Sequence, residues 1–441
     1  MVRGARQVGK TTLVRMLAEH EGLHLIEINM ETRPVFVSLL GDKSQARLIL
    51  ESLVVESGVK ASPDRMLIFF DEAQETPGLF SYLRYFKEMA PEYRVVAAGS
   101  LFEFELNNSQ VSQGPTGRVE YAYVEPMTFT EFLLARNSVA YERYQTLDAL
   151  CSVSELDHAM FSRYFKEYLV CGGMPRAVKS WSEEQSPLSI DEIKSDIIEG
   201  YLNDLPKYNE LNQKRYDRQL LRRLYSSVTS RPANSMKYSE LAPGVRAEKV
   251  RVHLDVLAVA KVIRMSLHSS ENKVPLLLGE NPKAYKLFSL DVGLTYTLMG
   301  LPIAEIYAAQ EINSVANGVI AEQYVAQTLM ALPPYHKPSS LHHWERSKKN
   351  ATAEVDFLFT LNGKVIPVEC KAGVSTKIRS LRQLLSEKAF ESALRLYSGN
   401  VEHEVLSNDI HGRRYETQLI SLPHYLLERF VEQNMAELAA G

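Results

Sequence analysis

The sequence predicts an α/β protein with more than one sheet, and three observations point to that class. A glycine-rich loop, Gly4–Thr11, leads directly into a helical apolar rhythm. The continuous apolar run Met66–Phe70 is typical of a parallel strand that is buried on both faces. Towards the other end of the chain, two apolar runs flank Asn362-Gly363, the strongest short-range signal for a two-residue hairpin turn.

The loop fits the pattern G-x-x-x-x-G-K-[ST] in full, with Gly4 and Gly9 as its two glycines. These glycines let backbone N–H groups curl around a phosphate at a helix N-terminus, where the helix dipole favours anions. Lys10 is placed to reach the β- and γ-phosphate oxygens, and the hydroxyl of Thr11, followed by Thr12, can ligate Mg²⁺. The loop therefore predicts a binding site for ATP and Mg²⁺.

The buried apolar strand ends in two acids that suit the same site. Asp71 would hold Mg²⁺ through water, and Glu72 would polarise the attacking water as general base. Beyond a predicted amphipathic helix, Leu79–Met89, the strand Arg94–Ala98 leads to Ser100, which could sense the γ-phosphate. The alternative for Ser100 is a helix cap or a turn residue.

Composition limits the other possibilities. The chain has 441 residues, 45% of them hydrophobic, which is enough for two to four domains. The net charge of −4 gives no global basic field, so any contact with nucleic acid has to be local. Three cysteines without C-x-x-C spacing, and no apolar run long enough for a membrane span, predict a cytoplasmic protein without zinc or a disulfide framework.

The strand that should precede the loop is short. Only Met1–Arg3 stand before Gly4, whereas a strand normally runs about five residues. Either the true start lies upstream, or this copy is impaired.

The middle of the chain reads as helices and then a winged-helix rhythm. Helices are expected from about Phe129 to Leu205, interrupted at Gly172–Pro175, as a helical lid. A short helix at Tyr238–Ala242 and a longer one at Val245–Lys261 precede two strand signals, as the wing of a winged helix would require. In a DNA reader the residues near the duplex would be Arg246, Lys249 and Arg251. Protein contacts are the alternative role of such a module.

The predicted hairpin carries acids on both strands. Counting outward from the turn pairs Leu361 with Lys364, and then Asp356 with Glu369, about 5 Å apart at Cβ. Lys371 follows two residues along on the same face. Like charges so placed repel, so the pattern indicates a divalent cation between the two carboxylates, as in phosphodiester chemistry.

These motifs together resemble the bacterial and archaeal AAA-type ATPases that carry a C-terminal domain of unknown function. The resemblance rests on Gly4–Thr11, Asp71-Glu72, Gly99-Ser100, Gly117-Arg118, Gly172–Pro175, Ser289–Gly293 and the hairpin Glu354–Lys371. It implies ATP binding and hydrolysis, with a C-terminal module similar to the PD-(D/E)XK nuclease fold. Lys10 and Thr11 would be nucleotide ligands, and Arg118 an arginine finger or sensor, with a surface ion pair as the alternative.

The predicted fold is thus an AAA-type P-loop NTPase with a parallel sheet, a helical lid, a winged-helix-like middle domain and a C-terminal restriction-endonuclease-like α/β domain. The predicted domains are 1–135, 136–212, 213–300 and 301–441 in that order. In the last domain, Glu322 lies in the apolar helix Asn317–Leu329 and would complete the metal shell of Asp356 and Glu369. A local basic fringe would suit phosphates: Arg346, Lys348, Lys349, Lys377, Arg379 and Arg382.

Two classes of function remain open at this stage. The first is an ATPase that acts on DNA or cuts it, with Asp356, Glu369 and Lys371 as the chemical centre. The second is a nucleotide-switched interaction protein that docks an unidentified protein partner, with a retired nuclease fold in which Lys371 simply bridges both carboxylates. An arginine that acts in trans would further require an oligomer.

Overall fold

A computed structural model describes residues 1–32, 42–76, 78–100, 117–204, 216–230, 233, 238–301, 314–346, 353–375, 377–410 and 412–440, with the backbone alone at 314–317 and 436–440. Within these ranges the chain is a mixed α/β protein with two sheets, as the sequence predicts. Lys348 and Lys349 of the predicted basic fringe lie outside the described residues.

The N-terminal sheet has the strand order β2-β3-β4-β1-β5, and every neighbouring pair is parallel. Its strands are β1 (Val2–Arg3), β2 (His24–Asn29), β3 (Met66–Asp71), β4 (Arg94–Gly99) and β5 (Ala122–Tyr123). Its helices are α1 (Lys10–His20), α2 (Ala46–Ser57) and α3 (Leu79–Met89). Every residue of β3 is buried, as expected for a strand covered on both faces. The predicted helix α3 has its predicted bounds.

Five helices follow, in the region where the sequence predicts a helical lid. They are α4 (Phe129–Arg136), α5 (Ser138–Gln145), α6 (Glu155–Cys171), α7 (Pro175–Glu184) and α8 (Pro187–Asp204). The first begins at a capping box, in which Thr128 and Glu131 satisfy each other's backbone N–H groups. The predicted interruption falls between α6 and α7, where Gly172 has a φ of +79° and Pro175 opens the next helix.

The next segment contains α9 (Arg218–Thr229), α10 (Tyr238–Leu241), α11 (Ala247–Val259), β6 (Ile263–Ser269), β7 (Glu280–Ser289) and α12 (Val292–Leu298). Strands β6 and β7 pair antiparallel, as the two strands of a wing would. The apolar rhythm of this segment predicts Val252, Val256 and Val259 on the inner face of α11. That prediction is partly wrong, because Val252 is 41% exposed, while Val256 is buried together with Val250 and His253. His253 lies inside because its ring hydrogen-bonds the N–H of Asp217 and the carbonyl of Lys249.

The C-terminal sheet has the order β12-β13-β11-β10-β9-β8-β6-β7. Its remaining elements are α13 (Ser314–Ala331), β8 (Leu341–Glu345), β9 (Glu354–Leu361), β10 (Lys364–Cys370), α14 (Arg379–Glu387), β11 (Ser392–Tyr397), β12 (Glu402–Ile410), β13 (Arg413–Pro423) and α15 (Leu427–Ala440). Strand β6 pairs in parallel with β8. One sheet therefore runs across the boundary predicted between residues 300 and 301, and the division into domains stays a prediction.

The hairpin of β9 and β10 has the predicted register. Leu361 pairs with Lys364, and the ladder continues to Phe357 and Val368. Both turn residues have positive φ, 53° for Asn362 and 73° for Gly363, as a two-residue turn of this type requires. This register brings Asp356 and Glu369 to the end of the ladder, beside each other.

Candidate functional site

The glycine-rich loop and the end of β3 form the first candidate site. Gly9 has a φ of +92° and ends the loop just before α1. Gly4 packs against the backbone of the residue that follows β5. A Cβ on Gly4 would lie 2.3 Å from the carbonyl oxygen of Val124. Both glycines are thus required by the backbone, and the loop N–H groups stand at a helix N-terminus.

Lys10 is the buried cation of this site. Its side chain is 8% exposed, and Nζ donates to the carbonyl oxygens of Gly4 at 3.1 Å and Ala5 at 2.7 Å. Burial lowers the pKa of Lys10 to about 8, although the charges of Glu72 and Asp71 act in the opposite direction. The ammonium is therefore held by neutral acceptors within a loop of anion-binding form.

The two predicted Mg²⁺ ligands lie together. The Thr11 hydroxyl donates to the Asp71 carboxylate, with distances of 2.9 Å to Oδ2 and 3.2 Å to Oδ1. Burial raises the pKa of Asp71, while the hydrogen bond from Thr11 lowers it. A hydroxyl beside a carboxylate is a donor set that suits Mg²⁺, so the residues present fit the ion that accompanies ATP.

Glu72 follows directly, in the left-handed region with a φ of 48°. Its Oε2 accepts a hydrogen bond from Gln74 Nε2 at 2.7 Å, which orients the carboxylate. Glu72 and the buried Ser100 line one pocket together with Arg6 and Tyr201. Glu72 and Ser100 therefore share one pocket, while Thr11 contacts Asp71 and the charges of both acids act on Lys10.

Sequence reasoning missed Arg6 and its partners in this pocket. The Arg6 guanidinium forms an ion pair with Asp204 at the end of α8, and the Tyr201 hydroxyl donates to the Arg6 carbonyl at 2.8 Å. These contacts join the loop to the helical region. The sequence signal for Arg6 was its position inside the glycine-rich loop. No local sequence pattern identifies Asp204.

Arg118 lies in a different environment. Its Nε donates to Glu88 Oε1 at 3.2 Å, and its side chain is 45% exposed. Arg84 shares the same carboxylate at 3.0 Å. This is the surface ion pair that the sequence left as the alternative, and an arginine finger acting in trans stays a prediction.

The second candidate site is a group of charged residues that we call the carboxylate cluster. It consists of the acids Glu322, Glu354, Asp356 and Glu369 with the lysines Lys286 and Lys371. Helix α13 supplies Glu322, strands β9 and β10 supply the other acids, and β7 supplies Lys286. Oxygens of Glu322, Glu354 and Asp356 lie within 4.8 Å of one another.

Burial raises the pKa of Glu322, Asp356 and Glu369 in the carboxylate cluster. The pKa of Glu322 rises to about 8 and that of Glu369 to about 7, first because of burial and then because of the Asp356 charge. The pKa of Asp356 is also raised by burial, although its carboxylate accepts the N–H of Cys370 at 2.7 Å. Like charges therefore do meet at the place predicted from the hairpin.

The cations of the carboxylate cluster differ from the predicted arrangement. Lys371 Nζ donates to Glu369 at 2.6 Å, while Asp356 lies 3.7 Å from Lys286. The expectation that Lys371 bridges both carboxylates is therefore wrong in detail, because Lys286 supplies the second ammonium. Sequence reasoning missed Lys286 and Glu354. The signals were a lysine within the apolar strand Tyr285–Leu290, and the two-residue spacing that puts Glu354 on the face of Asp356.

Four of the predicted basic residues elsewhere lie near acids of the same chain. Lys249 pairs with Asp217 at 2.7 Å, and Arg251 lies 4.0 Å from Asp255. In the C-terminal fringe, Arg346 pairs with Glu387 at 2.8 Å and Arg382 with Glu404 at 3.3 Å. Lys377 precedes α14, which begins at Arg379, two residues later than predicted.

Comparison with known families adds to this geometry. Residues 1–133 match the family described as an AAA domain, 162–305 match a domain of unknown function (DUF8612), and 317–423 match another domain of unknown function (DUF4143). No curated protein matches the chain. The first match covers the glycine-rich loop, Asp71, Glu72 and Ser100, so the N-terminal end of the chain is similar to an AAA domain.

Among solved structures, the chain is similar to the ORC2 protein of Aeropyrum pernix in its ADPNP-ADP complexes, at 14% identity over 70% of this chain and 88% of that one, with a TM-score of 0.33. It is also similar to the Thermotoga maritima RuvB Holliday junction branch migration motor, at 15% identity over 65% of this chain and 82% of that one, with a TM-score of 0.26. These similarities do not assign a function to this chain. Among the described residues, no helix combines the length and apolar character that crossing a membrane requires.

Proposed function

We propose that the protein is a Mg²⁺-dependent ATPase. The single observation that supports this most is the hydroxyl of Thr11 lying 2.9 Å from the Asp71 carboxylate, at the end of a loop whose Lys10 ammonium donates to two backbone carbonyls. ATP supplies the anion that such a lysine lacks. Thr11 and Asp71 would hold Mg²⁺, which neutralises charge on the transferred phosphoryl group.

Glu72 is the residue proposed to act on water. Its carboxylate is fixed by Gln74 and lies in the pocket that also receives Ser100 and Arg6. A fixed carboxylate near the phosphates can orient a water molecule and accept its proton. Arg6, which lines the same pocket, forms an ion pair with Asp204. This ion pair links the pocket to α8.

Two substitutions separate binding from turnover. We expect Lys10→Ala to abolish ATP binding measured by calorimetry, and Glu72→Gln to keep binding while turnover falls by roughly 100-fold or more. Lys87→Ala, an exposed lysine on α3, serves as the control that should change neither. Equal ATP affinity in the parent and in Lys10→Ala would refute the assignment.

The proposal extends to coupling between the nucleotide site and the C-terminal half. A Cβ on Gly9 would lie 3.3 Å from Pro175, so the loop packs against the start of α7. The adjoining Gly173 N–H donates to the buried Asp291 carboxylate at 2.7 Å. Asp291 in turn accepts from Gln327 at 3.1 Å, one and a half turns from Glu322 on α13. This continuous series of contacts supports transmission of nucleotide state, for which a coupling measurement is the test.

That measurement is hydrogen exchange with and without ATP. We expect ATP·Mg²⁺ to change the protection of amides in α13, and Asp291→Asn to remove that change while ATP affinity is retained. A nucleotide effect on α13 that is the same in Asp291→Asn would refute this path.

Two roles are proposed for the C-terminal half: action on DNA, or docking of a protein partner. The second is favoured by the ion pairs of Lys249, Arg346 and Arg382, which already balance basic residues that DNA phosphates would need. ATP turnover with and without duplex DNA separates the two. If DNA binds along α11, charge reversal of Arg246 and Lys249 should reduce the salt slope by roughly 0.9 per phosphate contact.

A further inference from the structure

Lys286 lies at the centre of the carboxylate cluster. Its side chain is 1% exposed, and Nζ lies 2.8 Å from Glu322 and 3.7 Å from Asp356. It also forms an ion pair with Glu354. One ammonium from β7 therefore contacts all three carboxylates whose oxygens lie within 4.8 Å of one another.

We propose that Lys286 is the resident cation of the carboxylate cluster and closes it to divalent metal ions. Carboxylate oxygens at this spacing suit a divalent ion such as Mg²⁺ or Mn²⁺, which takes oxygen ligands at about 2.0–2.2 Å. The same carboxylate oxygens suit an ammonium group equally well, and the Lys286 ammonium is part of the fold. The residues present therefore do not fit the metal that a nuclease of the resembled type would need.

Glu369 provides a further acid oxygen that a metal ion could use once Lys286 is removed. The residue is 4% exposed, and Lys371 engages its Oε1 at 2.6 Å. Its Oε2 is buried and finds no hydrogen-bond partner among the described residues. In a variant without the Lys286 ammonium, this oxygen is available as an additional metal ligand.

Charge counting predicts what happens when Lys286 is removed. With every group ionised, four acids and two lysines give −4 + 2 = −2. Lys286→Met leaves a net charge of −3 at the same oxygens. The methionine side chain has a similar length but cannot act as a cation. The cluster then becomes a site for a divalent ion, because carboxylate oxygens are the ligands that such ions prefer.

The test is a Mn²⁺ titration of the full chain without nucleotide, followed by the thermal unfolding midpoint and by calorimetry. Every variant carries Thr11→Ala, so that the hydroxyl at the nucleotide loop cannot contribute. We expect Lys286→Met to bind Mn²⁺ at least about tenfold more tightly than the parent and to gain a midpoint rise that the parent lacks. Adding Asp356→Asn to Lys286→Met should abolish the gain. Lys364→Met, an exposed lysine of the same hairpin, is the matched control and should behave as the parent.

Two results would overturn the proposal: a Mn²⁺ site in the parent that Asp356→Asn removes, or a folded Lys286→Met that gains no Mn²⁺ affinity. If Lys286→Met folds only when Mn²⁺ is present, the proposal is supported. If it folds under neither condition, Lys286→Met/Glu354→Gln replaces it, because this pair of changes keeps the cluster at −3 + 1 = −2 as in the parent. Gain or absence of a Mn²⁺ site in that variant is then read in the same way.

Discussion

Two buried lysines, Lys10 and Lys286, differ in what surrounds their ammonium groups. Lys10 donates to two backbone carbonyls, and burial lowers its pKa to about 8. Burial would also lower the pKa of Lys286, but the charges of Glu322, Asp356 and Glu354 outweigh it and raise that pKa above its ordinary value. Among the described residues, no carboxylate lies within ion-pair distance of the first ammonium, although the charges of Glu72 and Asp71 act on it, whereas three carboxylates pair with the second.

This difference indicates which site awaits a ligand. A buried cation without a counter-ion costs free energy that a phosphate can recover, so the lowered pKa of Lys10 is typical of a binding site. A buried cation that is already neutralised belongs to the fold, and removing it leaves its partners uncompensated. The comparison thus assigns ligand binding to the N-terminal end and a structural charge centre to the C-terminal sheet.

Stability measurements test this comparison with the largest expected effect. We expect Lys286→Met to lower the free energy of unfolding by about 3 kcal/mol, because three partly buried carboxylates lose their buried cation. Lys10→Met should change it by about 1 kcal/mol or less, since the lost hydrogen bonds are offset by relief of the buried charge. Urea unfolding without nucleotide measures both, and similar losses in the two variants would contradict the distinction.

The path between the two regions predicts a steric effect. A Cβ on Gly173 would lie 2.1 Å from the carbonyl oxygen of Met127, so Gly173→Ala has to displace backbone. We expect a loss of about 2 kcal/mol in stability and a weakened response of α13 to ATP. Gly318→Ala is the matched control, because no atom lies within 4 Å of its Cβ position and alanine favours helix by about 1 kcal/mol. Equal effects of the two changes would remove Gly173 from the path.

The pKa of Lys10 predicts how ATP affinity varies with pH. Below pH 8 the free loop already holds the ammonium, so affinity is fully present. Above pH 8 the free lysine loses its proton, and ATP can bind to the charged form only if a proton is taken up. We expect affinity at pH 9 to be about tenfold weaker than at pH 7. Calorimetry in buffers of different ionisation enthalpy should register that uptake, and a constant affinity with no proton uptake would contradict it.

Local signals account for what the sequence could predict. The turn chemistry of Asn362 and Gly363 gave the hairpin register, and the spacing of glycines and lysine gave the nucleotide loop. The parallel pairing of β6 with β8 had no such signal, because the pairing joins residues about 75 positions apart, as in Ser266 with Leu341. Lys286 carried a local signal, a lysine within an apolar strand, but its acid partners could not be predicted, because only the folded chain brings β7, β9 and α13 together.

The most direct test of the central claim is thermal unfolding of the unmodified chain with two ligands measured side by side. The account predicts that ATP·Mg²⁺ raises the midpoint through Lys10, and that Mn²⁺ alone leaves it unchanged because Lys286 occupies the carboxylate cluster. A midpoint that rises with Mn²⁺ alone, is restored to its metal-free value by Asp356→Asn, and does not respond to ATP·Mg²⁺ would contradict it.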